Sequence, residues 1–273
     1  MASRLADHIR SVNKKGQKAL GLFVTSGFPT PADSLDLITA IEQGGADFLE
    51  LGMPFSDPLA EGLPIQHSSS VALKNGITMQ KTLAIAAAFR ERSSLPLVLM
   101  GYANPVIRYG ISNFFRDAYS SGVDGVILPD VLPETDSAFA EASKAYGVDL
   151  IHLVAPTSSE ARIKQIDSAS SGFVYAVSVT GITGADLGSK SNILAYLERT
   201  ATLVTHNPLL VGFGIRSHED ANLMATHTDG AIVGSALVSV IESLFGDAST
   251  TYQEKLDGVS AFVRELKYGP LHD

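Results

Sequence analysis

Cysteine is absent from the 273-residue chain, which excludes disulfide staples, thiolate nucleophiles and cysteine metal ligands at the outset. Positive charge is scarce: 20 Lys and Arg stand against 29 Asp and Glu, a formal charge of −9, with no basic block anywhere. Nucleic acids and anionic membranes need a positive footprint, so both drop out as partners. A phosphate ligand would be held largely by backbone N–H groups and helix N-termini rather than by a lysine cluster. No run approaches the ~20 apolar residues of a membrane span. The charged start, 1–10, lacks the apolar stretch of a signal peptide, so the expected compartment is the cytoplasm. The seven histidines form no HxxxH or HxH pair and no metal site is expected; a Gly-x-Ser-x-Gly elbow is missing too.

What the chain does have is apolar mass in short, regularly spaced runs. Hydrophobic residues make up 45% of it, enough for one large core, and no linker or shift in composition divides it. A single domain over 1–273 is expected. Runs rich in Val, Ile, Leu and Phe read as strands at 19–25, 46–52, 95–101, 123–128, 148–154, 172–178, 208–212 and 230–233. Helical patterns fall at 31–43, 77–92, 112–121, 134–146, 158–168, 192–205, 217–225 and 236–245, with a last one at 251–267. Thr30-Pro31 reads as a capping hydroxyl followed by proline at the first helical position. Eight alternations of buried strand and helix predict a (β/α)8 TIM barrel with extra helices, with a doubly wound sheet as the alternative. The unusual residues favour the barrel. Glu50, Asp57, Glu61, Tyr102, Asp130 and the glycine-rich turns sit after strand C-termini, and the N-terminal ends show nothing comparable.

Glu50 lies between Leu49 and Leu51. If the leucines face the helices, strand alternation turns Phe48 and Glu50 into the barrel. A carboxyl there must be paired or stay protonated. It is either a hydrogen-bonded structural residue or a general acid/base, and Asp57 and Glu61 in the next loop favour the second reading. The later glycines point to a ligand class. The segment 180–184, Gly212 to Gly214, Asp229-Gly230 and Gly234-Ser235 would let backbone approach an anion, and a helix starting at Ser235 would aim N–H groups at it.

The segment Leu51-Gly52-Met53-Pro54-Phe55-Ser56-Asp57-Pro58-Leu59-Ala60-Glu61-Gly62, continuing through Pro64-Ile65-Gln66, resembles the signature LG(x)P(F/Y)SDP(L/I)ADGPxIQ of tryptophan synthase alpha subunits. The glycine loops are similar to the same family's, so the resemblance runs from Phe23 to Ser235 in one register. It implies a lyase of tryptophan biosynthesis that cleaves indole-3-glycerol phosphate to indole and glyceraldehyde 3-phosphate. Glu50 would move the proton at indole C3, and Glu61 would stabilise the indole nitrogen. Two positions depart from the pattern: Glu61 stands where the family has Asp, and Leu63 where it has Pro, with Pro64 one place later. An extra methylene moves a carboxylate by about an ångström, enough to cost roughly 10²-fold in rate if nothing compensates.

The resemblance also assigns Phe23, Ile65, Met100, Tyr102, Tyr175, Thr183 and Phe213 to the substrate pocket, with core packing an equal reading for Ile65 and Met100. Gly184, Gly214, Gly234 and Ser235 would hold the phosphate. Asp130 either approaches the site or braces a loop. No cofactor is expected in this chain. The implied partner is a beta subunit carrying pyridoxal phosphate in an α2β2 complex, met through Pro54, Asp57 and Asn104, although Asn104-Pro105 reads equally as a solvated turn. The alternatives are a non-catalytic regulatory subunit of the same complex, or another phosphate-binding barrel such as a sugar-phosphate isomerase.

Overall fold

A computed structural model describes residues 3–58, 61–134, 137–177, 190–212 and 214–270. In chain order the first half comprises α1 (Arg4–Lys14), β1 (Ala19–Thr25), α2 (Ser34–Gly44), β2 (Phe48–Gly52), α3 (Leu63–Lys74), α4 (Met79–Arg90), β3 (Leu97–Met100), α5 (Ala103–Tyr109), α6 (Ile111–Ser120) and β4 (Gly125–Ile127). The second comprises α7 (Ser137–Tyr146), β5 (Asp149–Ile151), β6 (Leu153–Val154), α8 (Glu160–Ala169), β7 (Val174–Val177), α9 (Lys190–Leu203), β8 (Leu209–Gly212), α10 (His218–Met224), β9 (Gly230–Val233), α11 (Ser235–Gly246) and α12 (Tyr252–Tyr268).

All neighbouring strands are parallel, in the order β5-β4-β3-β2-β1-β9-β8-β7-β6. β5 and β6 are two pieces of one run separated only by His152. β5 pairs with β4 and β6 with β7, so the fifth barrel strand changes partner at His152. There Ser170 Oγ accepts from the His152 N–H, while the His152 carbonyl accepts from Tyr175 N at 3.1 Å. The ring closes at that point, and the expected barrel is present with its fifth strand split.

Strand alternation settles which side chains face inward. Gly21 and Phe23 of β1 lie opposite Phe48 and Glu50 of β2. Phe48 meets Phe173 across the interior at 5.6 Å between ring centroids, whereas Leu49 and Leu51 are fully buried under the outer helices.

Several expectations need correction. The capping pair Thr30-Pro31 does not start α2: its N-cap is Asp33, whose Oδ2 accepts from Thr30 Oγ1 in a preceding turn. α1, α3 and α5 were not expected. The sequence marks 1–10 only as charged, yet Leu5, Ala6, Ile9 and Val12 form a buried stripe along α1. α3 starts at Leu63, which is exposed, so Pro64 takes its second position. Proline is tolerated there because the first N–H groups of a helix have no internal partner. Asn104-Pro105 is the first turn of α5 rather than a solvated loop.

The N-terminal ends of the strands also carry more than expected. Asp47, Asp124 and Asp229 each precede a strand, and their carboxylates accept from Leu20, Leu97 and Leu209 N–H at 2.7–2.8 Å. Ser171 does the same for Leu150. Asp229-Gly230 therefore belongs to the bottom of the barrel and closes no anion site. Glycine is required at 230 because a Cβ would lie 2.2 Å from the Ala19 carbonyl of β1. α1 lies across this end: Arg4 bonds Asp124, Arg10 bonds the His206 carbonyl and Asn13 bonds the Asp229 carbonyl.

Candidate active site

At the opposite end of the barrel the strands open into a cavity of about 970 Å3. Phe23, Glu50, Met100, Tyr102 and Tyr175 reach it from β1, β2, β3 and β7 or the residues just after them. Glu61, Ile65, Gly214, Gly234 and Ser235 line it from the loops and helix starts above the strands. Leu153, Arg162, Arg216, Ile232 and Phe262 line it as well and were not anticipated. Leu153 was within reach of sequence reasoning, because it is in register with Tyr175 on the inward face. Phe262 lies on the last helix and carried no signal. Thr183, Gly184 and Phe213 lie outside the described residues.

Glu50 is completely buried, and neither carboxyl oxygen has a hydrogen-bond partner among the described residues. Removing a carboxylate from water without compensation favours the neutral form, so burial pushes the Glu50 carboxyl up to about 8. A structural glutamate satisfied by hydrogen bonds would look different. Glu61 is 8% exposed, and its Oε2 is also unpartnered among the described residues. Burial raises its carboxyl to about 7, and a hydrogen bond from Tyr102 works in the opposite direction. Two carboxyls of raised proton affinity therefore share one cavity, and the Tyr102 hydrogen bond favours the charged form of Glu61 alone, an asymmetry by which an acid and a charge stabiliser can divide roles. Burial, and then the neighbouring Glu50 charge, hold the Tyr175 phenol well above its usual range, so it stays protonated.

Local structure accounts for each placement. Glu50 is fixed by the ladder of β2 between β1 and β3. Glu61 precedes Gly62, the N-cap of α3, and its own carbonyl accepts from Gln66 Nε2 at 2.7 Å. Tyr102 is packed by Phe55 at 5.3 Å between centroids. At Gly212 a Cβ would lie 2.0 Å from the Tyr175 hydroxyl, so that position must be glycine for Tyr175 to stand in the cavity. Gly234 is the N-cap of α11, whose first residue is Ser235, so the helix starts where the sequence predicts it. Met100 and Ile65 both line the cavity and pack against the core.

Asp130 is exposed, and both its carboxyl oxygens accept from the Ala103 N–H at 3.0 and 3.1 Å. It caps α5 and so braces a loop. Pro54 is half-buried, Asp57 and Asn104 are exposed, and none of the three lines the cavity. Among the described residues no group of His, Asp or Glu could hold a metal ion, and no helix is long and apolar enough to cross a membrane.

Comparisons of sequence and of fold with known proteins converge on one family. Residues 9–269 match the family model described as tryptophan synthase alpha chain. The tryptophan synthase alpha chain of Geotalea uraniireducens is 44% identical over 267 residues, covering 98% of this chain and 97% of that one. That of Roseiflexus castenholzii is 45% identical over 241 residues, 88% of this chain and 92% of its own. Among solved structures, tryptophan synthase subunit alpha from Legionella pneumophila superposes with a TM-score of 0.89 at 31% identity, covering 98% of each chain. A chain of the aminoacrylate-bound tryptophan synthase from M. tuberculosis superposes with a TM-score of 0.85 at 34% identity, covering 98% of this chain and 99% of that one.

Proposed function

The chain belongs to the tryptophan synthase alpha-chain family, lyases of tryptophan biosynthesis that cleave indole-3-glycerol phosphate, and on that premise we propose how its own residues carry out the cleavage. The observation that carries the reading is the three buried carboxyl oxygens, both of Glu50 and one of Glu61, that have no hydrogen-bond partner among the described residues and belong to side chains lining one cavity. The sugar-phosphate isomerase alternative falls with the family match.

Protonated Glu50 donates its proton to indole C3, and the ring becomes an indoleninium with positive charge on N1. The carboxylate so formed takes the proton from the hydroxyl on the adjacent side-chain carbon. That carbon becomes the aldehyde, and the electron pair of the C3–carbon bond returns to the ring as indole. Glu50 ends the cycle protonated, so protons and electrons balance. A proton affinity near neutrality suits a group that must first give and then take. Glu61 acts as a carboxylate beside N1, where its charge acts in a low-dielectric site. The Tyr102 hydrogen bond favours that ionised form and fixes one oxygen of the longer side chain, leaving Oε2 for the ring.

Phe23, Ile65, Met100, Tyr102, Tyr175 and Phe213 are the proposed indole pocket, with Thr183 beside them. Gly184, Gly214, Gly234 and Ser235 take the phosphate through backbone N–H groups and the start of α11. The proposed partner is a tryptophan synthase beta subunit in an α2β2 complex, docked through Pro54, Asp57 and Asn104. Pyridoxal phosphate would belong to that subunit. A single domain over 1–273 is supported by the ends of the chain, since α1 closes the barrel bottom and Lys267 of α12 bonds Asp47 there.

The test is indole release from indole-3-glycerol phosphate by the purified chain, alone and with a beta chain. Release that rises with the partner is expected. Substrate binding without release in either case would make the chain a regulatory subunit instead.

A further inference from the structure

The cavity holds two carboxyls, and the proposed substrate adds a phosphate dianion to it. Backbone N–H groups and a helix start offer only partial positive charge, roughly half a unit for a whole helix end. Two cationic side chains line the cavity among the described residues, Arg162 and Arg216. Arg162 is committed: its guanidinium pairs with Glu134, and the same Nη1 donates to Gln165 at 3.2 Å. Arg216 has neither an ion pair nor a side-chain hydrogen bond among the described residues.

Its place in the chain is specific. Arg216 follows Gly214 and Ile215 at the end of β8, and Ser217 next to it caps α10 by accepting from Asp220 N. Ile215 is 3% exposed and belongs to the core, so the backbone that carries Arg216 is pinned. Gly214, Gly234 and Ser235, the proposed phosphate cradle, line the same cavity. An exposed arginine with no ion pair or side-chain hydrogen bond among the described residues, rooted at the rim of an anion cradle in a chain of net charge −9, offers its fork of donors to a ligand.

We propose that Arg216 binds the phosphate group of the substrate through its guanidinium, adding a full positive charge to a cradle otherwise made of backbone N–H groups. This rests on the reading of the cavity as the site of indole-3-glycerol phosphate cleavage. The guanidinium makes paired hydrogen bonds to two phosphate oxygens, a geometry that a lysine reproduces only as a point charge. Because the phosphate is remote from the bond that breaks, its contact with Arg216 is the same in ground and transition states. The effect therefore falls on KM and not on kcat.

The experiment titrates glycerol 3-phosphate into the purified wild-type chain, Arg216→Ala and Arg216→Lys by calorimetry. KM and kcat for indole-3-glycerol phosphate are measured on the same preparations. Loss of the charged contact is expected to weaken glycerol 3-phosphate and raise KM by about tenfold or more, with the lysine variant in between. Indole, which has no phosphate, should bind all three proteins alike. Equal glycerol 3-phosphate affinity in wild type and Arg216→Ala overturns the proposal, as does a fall in kcat at unchanged KM. A wild-type chain that binds glycerol 3-phosphate but does not cleave the substrate overturns the catalytic reading instead, and the two failures are told apart on one set of proteins.

Discussion

At the scale of single residues, the site is built from groups that oppose folding. Glu50 is held near 8 in the folded protein against 4.5 for an unhindered glutamate. Between those two values the unfolded chain has released this proton and the folded chain has not. Stability therefore falls as pH rises through that window, and the penalty from this one group reaches its full size above about 8; below 4.5 both states are protonated and there is none. Glu50→Gln removes the titration. Its stability advantage over wild type, followed by denaturant unfolding, should open from near zero at pH 4.5, widen as the pH rises and level off above about pH 8. A gap independent of pH would show that Glu50 does not titrate in this way. Glu61 gives a kinetic counterpart. Burial raises it to about 7 despite the Tyr102 hydrogen bond, so Tyr102→Phe lets it rise further. The acidic limb of the kcat/KM profile should move to higher pH, narrowing the active range below the alkaline limb set by Glu50 near 8. An unmoved limb would mean that Tyr102 only lines the pocket.

At the scale of elements, the two ends of the strands do different jobs. The C-terminal ends carry the cavity and the N-terminal ends carry a ring of carboxylates that complete the ladder. Asp124 is the busiest of these, accepting from Leu97 N at 2.8 Å, from Arg90 at 2.9 Å and from Arg4. Asp124→Ala leaves a strand N–H without its acceptor and the half-buried Arg90 with backbone carbonyls but no carboxylate, so a loss of about 2 kcal/mol is expected in chemical denaturation. Indole release per folded molecule should hold, since no part of the cavity is touched; a matching loss in kcat would contradict this division. This ring was illegible in the sequence because an aspartate before a strand looks like any turn residue until its neighbour is known. The strands themselves were readable, since continuous apolar runs mark parallel strands buried on both faces. β1 and β9 fall where expected, while the split at His152 depends on which strand lies alongside. α3 and α5 are hard to read from the sequence for a different reason. Each follows the site loop closely and starts with proline in its first turn, a signal shared by turns and helices.

At the scale of the whole molecule, the fold brings together residues that are far apart in the chain, and that is where sequence reading was strongest and weakest. Glu50 and Glu61 were legible because one strand and its following loop hold both, and a lone carboxyl among leucines needs a reason. Arg216 and Phe262 reach the same cavity from the last third of the chain, and only the closed ring of strands shows it. The Glu61 substitution, a doubt in the sequence, becomes a matter of geometry once Tyr102 is found to hold one oxygen. The proposed cleavage turns on Glu50 as the group that gives and takes the proton. The direct test is the rate of indole release from saturating indole-3-glycerol phosphate by wild type and Glu50→Gln, with substrate affinity measured alongside. A loss of about 10²–10⁴-fold in rate with affinity retained is the predicted result; a glutamine variant that turns over within a few-fold of wild type would contradict it.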